Sequence, residues 1–185
     1  MKLTKRLLAM ALAGVMLLTI LTGCSGGKTG DRLVEEYMAT FLSENPILGP
    51  ALGNIPITHD VPEIKTVADM FEDSWLNSTG GWNISGGNSS SDERCKALQK
   101  VFSKYSYSNG YTVNLYACEV DSKQSELNQT MRVMSTMHSG LSVYRFPTTP
   151  LNPTPVSAAK CATRLVTRGE KSYRIAVIIY DYAAN

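Results

Sequence analysis

Apolar positions recur along this chain with two different periods, which predict four helices and several strands. Helical spacing occurs in four segments, which begin near Asp31, Asp60, Ser90 and Ser125. Strand-like runs cover residues 111–120, 160–168 and 172–182, and shorter ones lie near residues 55–58 and 141–146. The predicted order is helix, short strand, two helices, strand, helix and terminal hairpin, which is typical of an α+β fold. Residues 175–180 are apolar on both faces, and this predicts a central strand.

Two helix starts carry the pattern of a capping box. Asp60 is followed three residues later by Glu63, and Ser90 is followed three residues later by Glu93. The fourth helix, predicted over residues 125–138, has an apolar stripe. This stripe consists of Leu127, Met131, Met134 and His138.

His138 has two interpretations. A histidine near a helix C-terminus is stabilised there by the helix dipole, which is a structural role. The alternative is a general base that works with Ser135 or Ser139, and it requires a hydrogen-bonded nucleophile. The sequence alone does not bring these side chains together.

Residues 77–91 are rich in Asn, Ser and Gly and predict a long loop between the second and third helices. Trp82 lies in this loop and is either an anchor tucked into the core or an exposed contact residue. The four prolines between residues 147 and 155 predict a second, stiff surface loop. Both loops are candidates for binding contacts.

The first 24 residues have the features of an export signal. A basic start with Lys2, Lys5 and Arg6 precedes an apolar run over residues 7–21, which is too short to span a membrane comfortably. Residues 21–24 (LTGC) resemble a bacterial lipobox. This resemblance implies cleavage after residue 23 and acylation of Cys24, so that the lipid bilayer becomes a partner and the protein faces outside the cytoplasm.

Composition and charge limit the function further. Residues 1–23 hold three of the 18 Lys and Arg and none of the 16 Asp and Glu, so the remaining chain has a formal charge of −1. Without a basic excess, a nucleic-acid partner is not expected. We therefore predict a signal peptide over 1–23, a lipidated cysteine with a flexible tether over 24–30, and a single α+β domain over 31–185.

Three further cysteines follow Cys24. Cys118 and Cys161 lie in strand-like runs and are the first candidates for a disulfide, whereas Cys95 lies on the apolar face of a predicted helix. None has the CxxC spacing of a zinc or redox motif, and the chain has only two histidines. We expect no metal site and no cofactor.

Three stretches resemble motifs of the CAP (SCP/PR-1-like) family. Residues 57–64 (ITHDVPEI) resemble the family's stretch that leads into its second helix. Asn114 and Leu115 correspond to the Asn-Ile of the family's GENI strand, and residues 135–138 (STMH) resemble its SxxH motif. The resemblance implies an α-β-α sandwich with an antiparallel sheet of three to four strands covered by helices. The family's metal-binding cleft is not reproduced, because Val113 replaces the strand glutamate and only His138 matches the cleft residues.

Three functions remain open. The first is a non-catalytic binding module for an envelope protein or a small ligand, with Trp82, His138 and Asn114 as contact residues. The second is a hydrolase or metal-dependent CAP-type activity centred on His138, with Ser135 as a candidate partner. The third is a structural lipoprotein that assembles with another envelope component.

Overall fold

The structure is a computed structural model and describes residues 30–44, 55–145 and 156–182. The helices are α1 (Gly30–Glu44), α2 (Glu63–Met70), α3 (Glu93–Val101) and α4 (Glu126–Ser135). The strands are β1 (Ile57–Thr58), β2 (Tyr111–Val120), β3 (Leu141–Tyr144), β4 (Val156–Arg168) and β5 (Lys171–Tyr182). This order of helices and strands confirms the predicted one.

Several sequence predictions fall outside the described residues. These are the signal peptide, the acylation of Cys24, the tether up to residue 29 and the proline segment 147–155. Within the three described ranges, no helix has both the length and the apolar character needed to cross a membrane.

The five strands form one sheet in the order β1-β4-β5-β2-β3. β4 and β5 pair as the predicted hairpin, and β5 also pairs antiparallel with β2. The expected antiparallel sheet of three to four strands is wrong, because β1 adds parallel to β4 through Ile57 opposite Ala159 and Thr58 opposite Lys160. A pair of two residues is too short for hydrophobic patterning to reveal its direction.

Helices cover both faces of the sheet. Side chains of α1 and α4, such as Met38 and Val133, pack with Ile178 on one face. Side chains of α2 and α3, such as Val67 and Leu98, pack on the other face. Residues 173–179 of β5 are all buried, which confirms the predicted central strand and the α+β class.

The caps of α2 and α3 differ from the predicted capping boxes. Pro62 precedes α2 and makes no side-chain cap, so Asp60 does not cap that helix. The cap of α3 is Asp92, whose carboxylate accepts from Arg94 N at 2.9 Å. At α4 the predicted start is confirmed, since the Ser125 hydroxyl accepts from Asn128 N at 3.4 Å.

The predicted buried stripe of α4 is correct only for Met134, which packs against the core, whereas His138 is exposed. Met131 is 51% exposed, whereas Gln129, Thr130 and Val133 are buried. Gln129 faces inward because its side-chain oxygen accepts from the buried guanidinium of Arg174, at 3.1 Å from Nε. A polar partner on β5 thus determines which face of α4 packs on the sheet.

The predicted disulfide between Cys118 and Cys161 is also wrong. Both are buried free thiols, as is Cys95, whose predicted burial is confirmed. Cys118 lies on β2 opposite Arg174, and Cys161 lies on β4 opposite Ile178. Because β5 separates these two strands, the cysteines are at least two strand spacings of ~4.8 Å apart, and their partners on β5 lie four residues from each other, so their separation exceeds the roughly 7 Å between Cα atoms that a disulfide tolerates.

Candidate functional site

A groove of about 380 Å³ opens beside β3, between the loop over residues 77–91 and the turn that follows α4. Its volume lies in the lower part of the range of about 300–1,000 Å³ found for small-molecule sites. The lining residues are glycines, serines, two aliphatic residues, one tryptophan and one arginine. They are Gly81, Trp82, Ile84, Gly86, Ser139, Gly140, Leu141, Ser142 and Arg145.

The first half of the 77–91 loop is shaped by Asn77. Its side-chain oxygen accepts from Thr79 N and Gly81 N, each at 3.0 Å, which folds the chain into a tight turn. Leu76 and Trp82 then form an isolated antiparallel bridge. The loop therefore holds Trp82 at a defined place, although its composition predicts no regular structure.

The second half of the loop is fixed to β3. Gly87 N donates to Ser142 O at 2.7 Å, and Asn88 and Arg145 exchange two hydrogen bonds of 2.7 and 3.0 Å. Gly86 allows this approach, since a side chain there would collide with the Ser142 carbonyl oxygen and lie 2.8 Å from Leu141 Cδ1. The loop and the strand consequently form one wall of the groove.

Trp82 combines the two roles considered from sequence. Its indole is half-buried and packs edge-on against Phe71, with ring centroids 6.5 Å apart. The same side chain lines the groove, whereas the other tryptophan, Trp75, is only 4% exposed. Trp82 is thus anchored in the core on one side and lines the groove on the other.

The opposite wall comes from the turn after α4 and from β3. Gly140 lies against the buried Tyr116 ring, so closely that a Cβ there would be 2.7 Å from Tyr116 Cδ1. The Ser142 hydroxyl donates to Asn114 Oδ1 at 2.9 Å. The predicted contact residue Asn114 therefore supports the groove through Ser142 and is not among its lining residues.

His138 and Ser135, the candidates for a catalytic pair, are not joined by a hydrogen bond within the described residues. α4 ends at Ser135, and His138 follows in a 3₁₀ turn, where it is exposed and not on a buried stripe. The Ser135 hydroxyl donates to Arg132 O at 2.6 Å, and the Ser139 hydroxyl donates to Thr136 O at 3.1 Å. Among the described residues, no hydrogen bond joins His138 to either serine.

A second polar cluster lies where α1 covers the outer edge of β4. Glu35 Oε1 accepts from Thr163 N at 3.0 Å and Asp31 Oδ1 accepts from Leu165 N at 3.2 Å, so two carboxylates replace a neighbouring strand. Asp31 also pairs with the buried Arg174. Burial is the main cause that raises the pKa of Glu35.

Cys161 and His59 complete this cluster. Cys161 Sγ is 3.5 Å from His59 Nδ1, and the same nitrogen is 4.0 Å from Glu35 Oε2. A relay from carboxylate through imidazole to thiol needs both ring nitrogens, whereas here both partners face one nitrogen. Burial also raises the pKa of Cys161 to about 12, which keeps the thiol protonated. The cluster therefore joins α1 to the sheet.

Two lining residues were not identified from sequence, namely Arg145 and Ser142. Ser142 lies in β3 and Arg145 directly follows it, and only the hydrogen bonds between this segment and the 77–91 loop bring them next to Trp82. In the part of the chain that the structure describes, no group of three or more His, Cys, Asp or Glu side chains is arranged to hold a metal ion.

Comparisons with protein-family models, with curated proteins and with solved structures gave no match. The geometry of the groove and the chemistry of its residues are therefore the basis for the functional proposal.

Proposed function

We propose that this chain is an extracytoplasmic lipoprotein, held at a membrane by acylated Cys24, whose groove beside β3 binds a small ligand without transforming it. The mature chain begins at Cys24, and its acyl chains enter the bilayer, each CH₂ contributing roughly 0.8 kcal/mol. Gly30 begins α1, so the connection from Cys24 spans six residues and reaches at most about 21 Å. The first residue of α1 therefore lies within about 21 Å of the acylated cysteine.

The observation that carries this proposal is the convergence of different chemistries on one groove. Trp82 offers an aromatic surface, Ser139 and Ser142 offer hydroxyls, and Arg145 offers a cation. Small-molecule sites typically combine apolar or aromatic walls with a few well-placed polar groups. A ligand with an apolar ring face and polar substituents matches this combination.

The positions of potential nucleophiles favour binding over catalysis. The hydroxyls of Ser135 and Ser139, at the end of α4 and in the turn after it, donate to backbone carbonyl oxygens of the helix and the turn. The buried Cys161 thiol lies at the α1 edge of the sheet and not among the groove residues. A nucleophile needs an adjacent base and access to substrate, and neither serine in this region has a base within hydrogen-bond reach among the described residues.

A CAP-like fold is part of the proposal. The order of helices and strands supports it, as do the positions of the three resembling stretches. Residues 57–64 lead through β1 into α2, Asn114 lies on β2, and residues 135–138 lie at the end of α4. The parallel β1 strand is an addition to the antiparallel sheet that the resemblance implied.

Calorimetric titration tests the binding function. The full-length chain, purified from membranes in a non-ionic detergent, is titrated with a panel of neutral and acidic oligosaccharides, nucleosides and aromatic amino acids. We expect saturable binding of at least one compound, weakened tenfold or more in Trp82→Ala. The control is Met131→Ala, which removes an exposed apolar side chain on α4, away from the groove. Equal binding by wild type and Trp82→Ala contradicts the proposal.

Intact-mass measurement tests the anchor. We expect a chain that begins at Cys24 and carries the mass of its acyl groups. The Cys118→Ser variant should keep that added mass, and the Cys24→Ser variant should lose it. A mature wild-type chain without added mass contradicts membrane attachment through Cys24.

A further inference from the structure

We infer that the ligand of the groove beside β3 is a carboxylate-bearing saccharide, whose sugar ring stacks on Trp82 while its carboxylate pairs with Arg145. This inference rests on the proposed binding function and specifies the chemical class of the ligand. It also assigns Arg145 as the residue that determines specificity.

The charge of the groove is the first argument. Of the lining residues, Arg145 alone is charged, so the groove has a net positive charge with no acidic residue in its wall. Among the described residues, no acidic side chain pairs with Arg145, whereas Arg94, for example, pairs with Asp92. An anionic group on the ligand complements the groove.

The free donors of Arg145 are the second argument. The side chain is exposed, and within the described residues its guanidinium donates one hydrogen bond, from Nη2 to Gly86 O at 3.4 Å. A guanidinium has five N–H donors in a planar fork that matches a carboxylate. The backbone of Arg145 is held independently, because its N–H donates to Asn88 Oδ1 at 3.0 Å. The base of the side chain is therefore fixed and its head remains available for two parallel bonds to a carboxylate.

The rest of the groove favours a saccharide over other carboxylates. A pyranose has one face of C–H groups, which packs on an aromatic ring, and a rim of hydroxyls, which pair with other hydroxyls and with backbone groups. The half-buried indole of Trp82 provides the aromatic ring. The hydroxyl oxygens of Ser139 and Ser142, whose protons are donated to Thr136 O and Asn114 Oδ1, can accept hydrogen bonds from sugar hydroxyls. Gly81, Gly86 and Gly140 also line the groove, and Gly86 and Gly140 allow its walls to lie close to β3 and to Tyr116. An extended acidic peptide has no flat apolar ring face to place on the indole.

Titration with a matched pair of probes tests the inference. The full-length chain in non-ionic detergent is titrated by calorimetry with trigalacturonate and with its fully methyl-esterified form, which has the same rings without charge. We expect the acid to bind about tenfold more tightly than the ester at low salt, with the difference shrinking as salt is added, since Arg145 is exposed.

Two arginine variants locate the effect. Arg145→Gln should bind the acid and the ester equally, at the affinity of wild type for the ester. The control Arg132→Gln removes an exposed arginine on α4, away from the groove, and should keep the tenfold preference. A preference that persists in Arg145→Gln overturns the assignment of Arg145.

The remaining outcomes separate this inference from the function on which it rests. Equal binding of acid and ester by wild type, with both lost in Trp82→Ala, overturns the acidic saccharide and leaves the binding function intact. Tighter binding of the peptide triglutamate than of trigalacturonate overturns the saccharide class. No binding of either galacturonate probe also overturns the inference, and the broader panel then decides the binding function by itself.

Discussion

Replacing Gly86 with alanine should detach the 77–91 loop from β3 and destabilise the protein by about 2 kcal/mol. A Cβ at this position would collide with the Ser142 carbonyl oxygen and lie 2.8 Å from Leu141 Cδ1, against an ordinary carbon contact of about 3.5–4.0 Å. The obstacle is partly backbone, so it cannot be relieved by a side-chain rotation alone. The loop must move away from the strand.

The cost follows from the hydrogen bonds that this movement breaks. Gly87 N to Ser142 O and the two bonds between Asn88 and Arg145 join loop and strand, and each contributes roughly 0.5–1.5 kcal/mol. The two bonds of Asn88 are exposed, which puts them at the lower end of that range. The sum is close to about 2 kcal/mol, within the range of about 1–3 kcal/mol for overpacking.

Urea denaturation measures this change, with Gly80→Ala as the control in the same loop. Gly80 has nothing within 4 Å of a Cβ, but its φ of +80° is unfavourable for alanine, so about 1 kcal/mol is expected there. Ligand binding should weaken in Gly86→Ala and persist in Gly80→Ala. A Gly86→Ala protein as stable as the control, with the Gly87 amide still protected from hydrogen exchange, would refute the close approach of loop and strand.

Three further predictions concern the α1 edge and the cysteines. Burial raises the pKa of Glu35, so the folded state binds the Glu35 proton more tightly than the unfolded chain does. The stability that the bound proton contributes is therefore present below the ordinary carboxyl pKa of about 4.3 and is lost as the pH rises through the pKa of the folded state. Glu35→Gln should therefore be more stable than wild type at pH 7 in urea denaturation and lose that advantage near pH 4; a variant that is less stable at pH 7 contradicts the sign. Asp31→Ala should lower the free energy of unfolding by about 3 kcal/mol, because it leaves the buried Arg174 without its carboxylate. Arg164→Ala, which removes only the exposed ion pair with Asp31, should lower it by less than about 1 kcal/mol. Alkylation of the unfolded, unreduced chain should modify all three cysteines after residue 24, and mass spectrometry that finds fewer would indicate a disulfide.

The sequence predicted the order of helices and strands because that order depends on local periodicity. The terminal hairpin has long apolar runs: β5 agrees with the predicted bounds within one residue, whereas β4 begins at Val156, before the predicted start at residue 160. The start of α4 was predictable for a similar reason, since Ser125 lies directly before the helix and its hydroxyl caps it. These features need no information about distant residues.

The face of α4 was not predictable, because distant residues determine it. Gln129 is buried to meet Arg174 on β5, 45 residues later, and Arg174 also pairs with Asp31 on α1, 143 residues earlier. Hydrophobic periodicity assigns polar residues to the surface and so exposes Gln129 and buries Met131, the reverse of the observed arrangement. Complementary buried polar groups leave no periodic signal.

The groove was predictable only in part for the same reason. Trp82 was predictable as a candidate contact residue because it is a large aromatic residue in a polar loop, and it lines the groove. Arg145 and Ser142 have no local feature that marks them as contact residues. They become neighbours of Trp82 through Gly87 and Asn88, whose bonds to β3 span more than 50 residues of sequence.

The most direct test of the central claim, ligand binding at Trp82, is an NMR titration of the full-length chain labelled with ¹⁵N-tryptophan. The chain has two tryptophans, so two indole N–H signals are expected, and the buried Trp75 provides an internal control. Addition of trigalacturonate or its methyl ester should shift the Trp82 signal in a saturable manner and leave that of Trp75 nearly unchanged. If both signals stay in place, or if both shift equally, the groove beside β3 does not bind the ligand as proposed.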